Sequence, residues 1–304
     1  MVKRINGVIF MKAKALALIQ TTRPKVLPLS MIPILLGTLL ANASGVAINW
    51  TVFICTLLSA LCVQIGMHFI NDALDVKKGA DIARLGPIRG IHTGILTPQE
   101  VYIKGMLVFA IALLFGIPLI VQGGWPIAIL MLVAVSLGYL YTGGPLPLAY
   151  TGLSDVFVLI FFGIVATSAA YYLQTGHVSE ASLLAGTQLG MLAILPLAIN
   201  NLRDHVGDAK ANKRTLVVRF GIDFGRCEVL VMGLLPFALS CFWHTLGYTW
   251  AAILPWLTLP IATFIVRGVW NTEPGTKLVP YFGLTALLHL SFAVLLIIAF
   301  YISS

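Results

Sequence analysis

Five of the chain's eleven carboxylates fall in two short clusters, and their spacing is the first chemical signal in the sequence. One cluster runs Asn71-Asp72-Ala73-Leu74-Asp75 and continues through Lys77-Lys78-Gly79 to Asp81. The other runs Asn200-Asn201-Leu202-Arg203-Asp204 and continues to Asp208. Asn71 and Asp75 are four residues apart, as are Asp204 and Asp208, so on a helix each pair shares one face. Like-charged groups at that spacing repel unless a cation sits between them, and Asp and Asn oxygens suit a hard cation. Mg²⁺ favours one or two carboxylates per site, completed by waters and substrate phosphates. Two carboxylate sets facing each other can therefore hold Mg²⁺ ions that clamp a diphosphate.

The neighbouring bases complete that chemistry. Arg84, Arg89, Arg203, Lys210, Lys213 and Arg214 lie within a few residues of the acids. Arg forks match phosphate oxygens, and Lys supplies a point charge. A plainer reading of any one such loop is a solvated, positively charged membrane-side segment. Two Asn-headed acid clusters in a chain with only eleven acids go beyond that reading, because paired like charges serve no structural purpose by themselves.

The elements that must position these groups follow from composition. Of 304 residues, 59% are hydrophobic and only 10% charged, and the mean hydropathy is +0.97. A soluble domain carries about a quarter of its residues charged, and disorder needs low hydrophobicity. The solvent for most of the chain is therefore the lipid bilayer. The expected architecture is all-α and polytopic, a single integral-membrane domain over 1–304. Runs of roughly 20 apolar residues place nine transmembrane helices near 26–44, 50–70, 103–121, 125–142, 153–173, 180–200, 229–246, 250–268 and 281–301, arranged around a central cavity. The two long connections, 71–102 and 201–228, are expected to be motif loops on the cytoplasmic side. No cleavable leader is read, since the first apolar run follows a long basic segment and is itself span-sized. With the N-terminus cytoplasmic, all nineteen Lys and Arg residues fall on one side of this layout, as the positive-inside rule requires. The net charge of +8 is thus an orientation signal and a phosphate-binding rim, with no nucleic-acid partner implied. The acidic clusters sit at span ends on that same side, which disfavours a transporter or cation channel, whose sites lie near the bilayer midplane.

Other features carry less. The six His show no metal-ligand spacing; His68 stands one turn before the first cluster and His205 beside Asp204. The four Cys form no CxxC pair, so no disulfide or zinc frame follows. Tyr139 and Tyr141 could stabilise a cation through their ring faces, or act as aromatic anchors at the membrane interface. Nothing in the pattern specifies an oligomeric state.

Asn71-Asp72-x-x-Asp75 after the second span and Asp204-x-x-x-Asp208 after the sixth resemble the two aspartate-rich motifs of the UbiA superfamily of intramembrane prenyltransferases. The resemblance covers nearly the whole chain and looks most like the MenA branch, the 1,4-dihydroxy-2-naphthoate prenyltransferases. Branch-like stretches are Arg23-Pro24-Lys25-Val26-Leu27-Pro28, Lys78-Gly79-Ala80-Asp81, Arg84-Leu85-Gly86-Pro87-Ile88-Arg89, Tyr141-Thr142-Gly143-Gly144-Pro145, and Asn200 to Asp204 running on to Lys213-Arg214-Thr215-Leu216. Many members carry an Asp four residues beyond the one matching Asp75; here that position is Gly79, and Asp81 is the nearest acid.

The resemblance implies condensation of an allylic prenyl diphosphate with a small aromatic acceptor, releasing diphosphate and, for the naphthoate, CO₂. It implies Mg²⁺ held by Asn71, Asp72, Asp75, Asp204 and Asp208, with Asp81 and Asn200 assisting. Asp72, Asp75, Asp204 and Asp208 are the catalytic acids. Arg84, Arg89, Arg203, Lys210, Lys213 and Arg214 are the diphosphate candidates, and Arg23, Asn201, Tyr139 and Tyr141 the acceptor candidates. Arg23 has an equally plain reading as a positive anchor at a helix end. Localisation in the cell inner membrane follows, with the site open to the cytoplasm. The same site chemistry would serve other acceptors: 4-hydroxybenzoate, homogentisate, a haem or a glycerol-phosphate lipid.

Overall fold

Long apolar runs punctuated by capping residues dictate the helices. In a computed structural model describing residues 2–78, 90–145 and 147–303, all regular structure among the described residues is helical. The main helices are α1 (Val2–Thr21), α2 (Pro28–Ala43), α3 (Trp50–Lys77), α4 (Pro98–Gly123) and α5 (Trp125–Leu140). They are followed by α6 (Ser154–Thr175), α7 (Glu180–Lys210), α8 (Ile222–Thr245), α9 (Thr249–Asn271) and α10 (Thr276–Ser303). Their starts are written locally. Asn49 accepts from the Val52 amide, Thr97 and Glu100 form a reciprocal capping box, and so do Ser179 and Ser182. Each satisfies amides that the first helical turn leaves without partners.

All nine expected spans coincide with a helix, but not all are span-length. Among the described residues, seven helices, α3, α4 and α6 to α10, are long and apolar enough to cross a bilayer. Met11–Val26 and α2, bent by 51° where they meet, qualify only as a pair. α5 has 16 residues, rising about 24 Å against a hydrocarbon core of about 30 Å. The turn at Tyr141–Pro145 ends it early. α1 was not foreseen: the basic N-terminal segment is helical, and Lys14 on it pairs with Glu100 at the start of α4.

Among the described residues, the expected motif loops 71–102 and 201–228 are also largely helical. α3 has 28 residues and α7 has 31, about 42 and 46 Å of helix. Both overshoot the hydrocarbon core, and the overhanging last turns carry the acidic clusters.

α7 is the central helix. In its most apolar stretch 72% of residues are buried inside the protein, against 28–39% in the other six long helices. It packs on α2, α6, α8 and α10, and its Leu189, Leu192, Leu195 and Ile199 lie in the largest core cluster. Small residues allow the closest approach, as expected where lipid offers no hydrophobic drive between helices. A Cβ on Gly186 would lie 2.7 Å from Ile164 Cα and 2.9 Å from the Gly163 carbonyl oxygen. On the α6 side this contact falls at a π-helical turn, Ile160–Val165. Leu114, Val121, Leu132 and Ile302 face outward, fully consistent with a lipid surround. A narrow apolar cavity of about 140 Å³ lies among α2, α3, α4, α5 and α6.

Because the atoms facing Gly186 are backbone and cannot move aside, Gly186→Ala should destabilise the bundle by about 1–3 kcal/mol. Thermal unfolding in detergent should show the loss, and an unchanged melting temperature would contradict the packing described.

Candidate active site

Asn71, Asp72 and Asp75 sit on the last two turns of α3, and all three are buried, Asp72 completely. A buried carboxylate must be paired, and Arg23 supplies the pairing. One of its terminal nitrogens donates to Asp72 Oδ1 at 2.5 Å and also to Asn71 Oδ1. Arg23 reaches them from the break between α1 and α2, where its backbone adopts the left-handed region (φ 55°, ψ 63°). That conformation costs a non-glycine residue about 1–3 kcal/mol. Asn71 Nδ2 in turn donates to Asp75 Oδ2 at 3.0 Å, so the i,i+4 face read from the sequence is present as a direct hydrogen bond. His68 is buried one turn below Asp72.

The second cluster sits on the last turns of α7. Arg203 is buried and holds Asp204 through two parallel bonds, Nε to Oδ1 at 2.8 Å and a terminal nitrogen to Oδ2 at 2.5 Å. Lys213 approaches Asp208 at 3.4 Å. Asn201 is buried, and its Nδ2 has no hydrogen-bond partner among the described residues. Asn200 is half-buried, while Lys210 and Arg214 are exposed.

The two clusters meet through the segment after α5. Tyr150, in the short helix Leu148–Thr151, donates its hydroxyl to Asp75 Oδ1 at 2.8 Å. Its carbonyl accepts from the Arg214 amide at 3.2 Å. Tyr150 thus ties the first cluster to the chain just past the second. Thr142 Oγ1 accepts from Asn71 Nδ2 at 2.7 Å. Lys78 donates to the Thr142 carbonyl at 2.6 Å and lies 4.6 Å from the centre of the Tyr150 ring. Asp208 lies within the electrostatic reach of Asp75 and Asp204, and Tyr141 within that of Asp75 and Asp208. Asp75 and Asp208, one from each cluster, therefore border a common space.

That space adjoins the apolar cavity. Phe157 lines the cavity, and its ring centre lies 5.6 Å from that of Tyr141, the two planes tilted by 49°. At the α2 side Ser30 donates to Gln64 Oε1 at 2.6 Å, and Gln64 Nε2 donates to the Val26 carbonyl at 3.0 Å. This locks the start of α2, and so Arg23, against α3.

Among the described residues, no three His, Cys, Asp or Glu side chains converge on one point. The acids are instead held as two separate sets, by Arg23 on one side and by Arg203 and Lys213 on the other. Such a donor set fits Mg²⁺ shared with a polyanionic ligand, since that ion needs only one or two carboxylates from protein. It does not fit a self-contained protein cage.

The sequence-predicted residues sort accordingly. Asn71, Asp72 and Asp75 form one set and Asp204 and Asp208 the other, with Asp75 within electrostatic reach of Asp208 and with Arg203, Lys213 and Tyr141 beside them. Asp81, Arg84 and Arg89 lie outside the described residues. Arg23, an expected acceptor residue, has its guanidinium bonded to Asp72 and Asn71. Tyr139 packs beside Tyr102 of α4. Lys78, Thr142 and Tyr150 were not singled out. Lys78 and Thr142 stand inside family-like stretches, which was the available signal; Tyr150 had none.

Residues 30–282 match the UbiA prenyltransferase family. A 1,4-dihydroxy-2-naphthoate octaprenyltransferase of Haemophilus influenzae is 32% identical, over 89% of this chain and 91% of that one. The enzyme of the same name from Bacillus subtilis is 31% identical, over 93% of this chain and 92% of that one. Among solved structures, a UbiA homolog from Archaeoglobus fulgidus bound to GPP and Mg²⁺ superposes with a TM-score of 0.67. It has 18% sequence identity and covers 92% of this chain and 99% of its own. An apo UbiA homolog from Aeropyrum pernix gives 0.66 at 14% identity, covering 88% of this chain and 97% of its own.

The Tyr150–Asp75 bond yields a direct test. A hydrogen bond to a charged group contributes about 1.5–3 kcal/mol, so Tyr150→Phe and Asp75→Asn should show a coupling of that size in a double-mutant cycle of thermal unfolding. Additivity within about 0.5 kcal/mol would mean that the bond does not hold the site together.

Proposed function

The chain belongs to the UbiA prenyltransferase family, and from that premise we propose that it transfers a polyprenyl group from an allylic prenyl diphosphate to 1,4-dihydroxy-2-naphthoate. Diphosphate and CO₂ leave, and the product is demethylmenaquinol, an intermediate of menaquinone biosynthesis. The relatives' shared activity supports the acceptor. The observation that carries the reaction type is the pair of acidic helix ends facing one space beside an apolar cavity.

The residues divide the work. The cavity takes the isoprenoid tail and leaves the diphosphate at its polar end. Lys213, Arg203, Lys210 and Arg214 surround that end with positive charge, matching the charge that grows on the departing group. Mg²⁺, held by Asn71, Asp72, Asp75, Asp204 and Asp208, would supply further charge neutralisation of the leaving diphosphate. Arg23 and Tyr150 act by positioning the first acidic set. The apolar walls keep water from an allylic cation that water would quench. The ring of Tyr141, backed by Phe157, offers a π-face to that cation. Asn201, with a buried amide nitrogen lacking a partner, is available to the aromatic acceptor. The one-sided distribution of Lys and Arg supports a cytoplasmic N-terminus and a site open to the cytoplasm, in the inner membrane.

Purified protein in detergent, given Mg²⁺ and a prenyl diphosphate, should prenylate dihydroxynaphthoate in preference to 4-hydroxybenzoate or homogentisate, with product identity and tail length read by mass. Chelation should abolish turnover. Asp75→Asn and Asp208→Asn should each lower kcat by about 10²–10³-fold while the protein still unfolds cooperatively. Near-wild-type turnover in either variant would sink the paired-site reading; product formation only with a different acceptor would sink the acceptor assignment.

A further inference from the structure

We propose that Met131, lying on Gly116, is the gauge that sets how long a prenyl tail the cavity admits. This inference deepens the proposed prenyltransferase reading and rests on it.

The cavity runs along α6 from Phe157 to Leu173. At 1.5 Å per residue this is about 24 Å, so tail length is measured along its axis. The far end is closed by Leu119 of α4, Ile127 of α5 and Leu173 of α6, each at most 4% exposed. Met131 stands one turn above Ile127 on the cavity wall.

What Met131 leaves open depends on α4. A Cβ on Gly116 would overlap both Met131 Cε and Sδ. The thioether tip therefore occupies the volume that any side chain at 116 would fill. The same device recurs two turns on, where a Cβ on Gly123 would overlap Ile127 Cγ1. α5 thus rests on α4 through side chains bedded on glycines, and the cavity keeps its bore because those side chains lie back.

Met131 is the adjustable member. Methionine is unbranched and repacks readily, and the atoms in conflict with a residue at 116 are the free end of its side chain. A methyl group at 116 is relieved by swinging that end away from α4. The open side is the cavity, whose volume is only about 140 Å³. The tip then crosses the bore partway down. Donors short enough to stop above it are unaffected, and longer ones meet it.

The experiment measures kcat/KM for purified full-length protein with geranyl, farnesyl, geranylgeranyl and longer all-trans prenyl diphosphates, at saturating dihydroxynaphthoate and Mg²⁺. Gly116→Ala should lower kcat/KM for the longest donors about tenfold and leave geranyl diphosphate unchanged. Met131→Phe, which narrows the bore without touching the glycine, should shift the cut-off in the same direction. Gly116→Ala combined with Met131→Ala should restore the longest donors. Equal losses on every donor, an unchanged length profile, or failure of the double variant to restore would overturn the gauge while leaving the prenyltransferase reading intact. Wild-type protein inactive on every donor would overturn that reading, and the gauge with it.

Discussion

A carboxylate with no access to solvent has to be met by a cation, and the meeting of Asp72 with Arg23 organises the rest of the site. Removing one partner of a buried ion pair leaves an uncompensated charge, which costs several kcal/mol. Three features are arranged around keeping the pair. The chain breaks between α1 and α2 so that Arg23 can turn inward. Arg23 accepts a left-handed backbone to do so. Gln64 and Ser30 then bind the start of α2 to α3, fixing where Arg23 stands. The same guanidinium holds Asn71, whose amide nitrogen holds Asp75 and Thr142. One contact between distant segments thereby orders a five-residue polar network.

Bilayer thickness explains why this network lies at the helix ends. α3 and α7 are longer than the hydrocarbon core, so their last turns leave it. A helix keeps its own backbone bonded in lipid and in the headgroup zone alike. It can therefore carry an apolar body and a charged end without interruption. Polar chemistry is placed where charge is tolerated, and the apolar cavity beside it extends into the region where charge is not. A lipid diphosphate has the same division, a charged head on an apolar tail.

The sequence disclosed what depends on local pattern. Apolar runs located the seven span-length helices among the described residues, and the i,i+4 spacing of Asn71 with Asp75 is realised as a hydrogen bond. The extent of helix was less legible. Charged residues after an apolar run look like a loop, because hydropathy reports the solvent and not the backbone; yet α3 continues to Lys77 and α7 to Lys210. Contacts across the fold were not legible at all. Arg23 beside Asp72 joins residues 49 apart, and Tyr150 beside Asp75 joins residues 75 apart. No periodicity encodes such a meeting; it follows from how α2 and α5 pack on α3.

The two acidic helix ends are neutralised by different routes, and the difference bears on assembly. Asp204 is held by Arg203, its neighbour in sequence, and Asp208 by Lys213, five residues on. Arg203 lies on α7 itself and Lys213 in the turn just past its end. Asp72 has its counter-charge on a segment that must first pack against α3. The second set is thus close to self-sufficient once α7 is helical, and α7 is also the most buried helix of the bundle. The first set becomes tolerable in its buried position only when the α1–α2 break has docked. Tyr150 then closes the arrangement, with its hydroxyl on Asp75 and its carbonyl on the Arg214 amide. The site is completed by tertiary contacts from the N-terminal segment and the segment after α5, while α7 provides the fixed side against which they assemble.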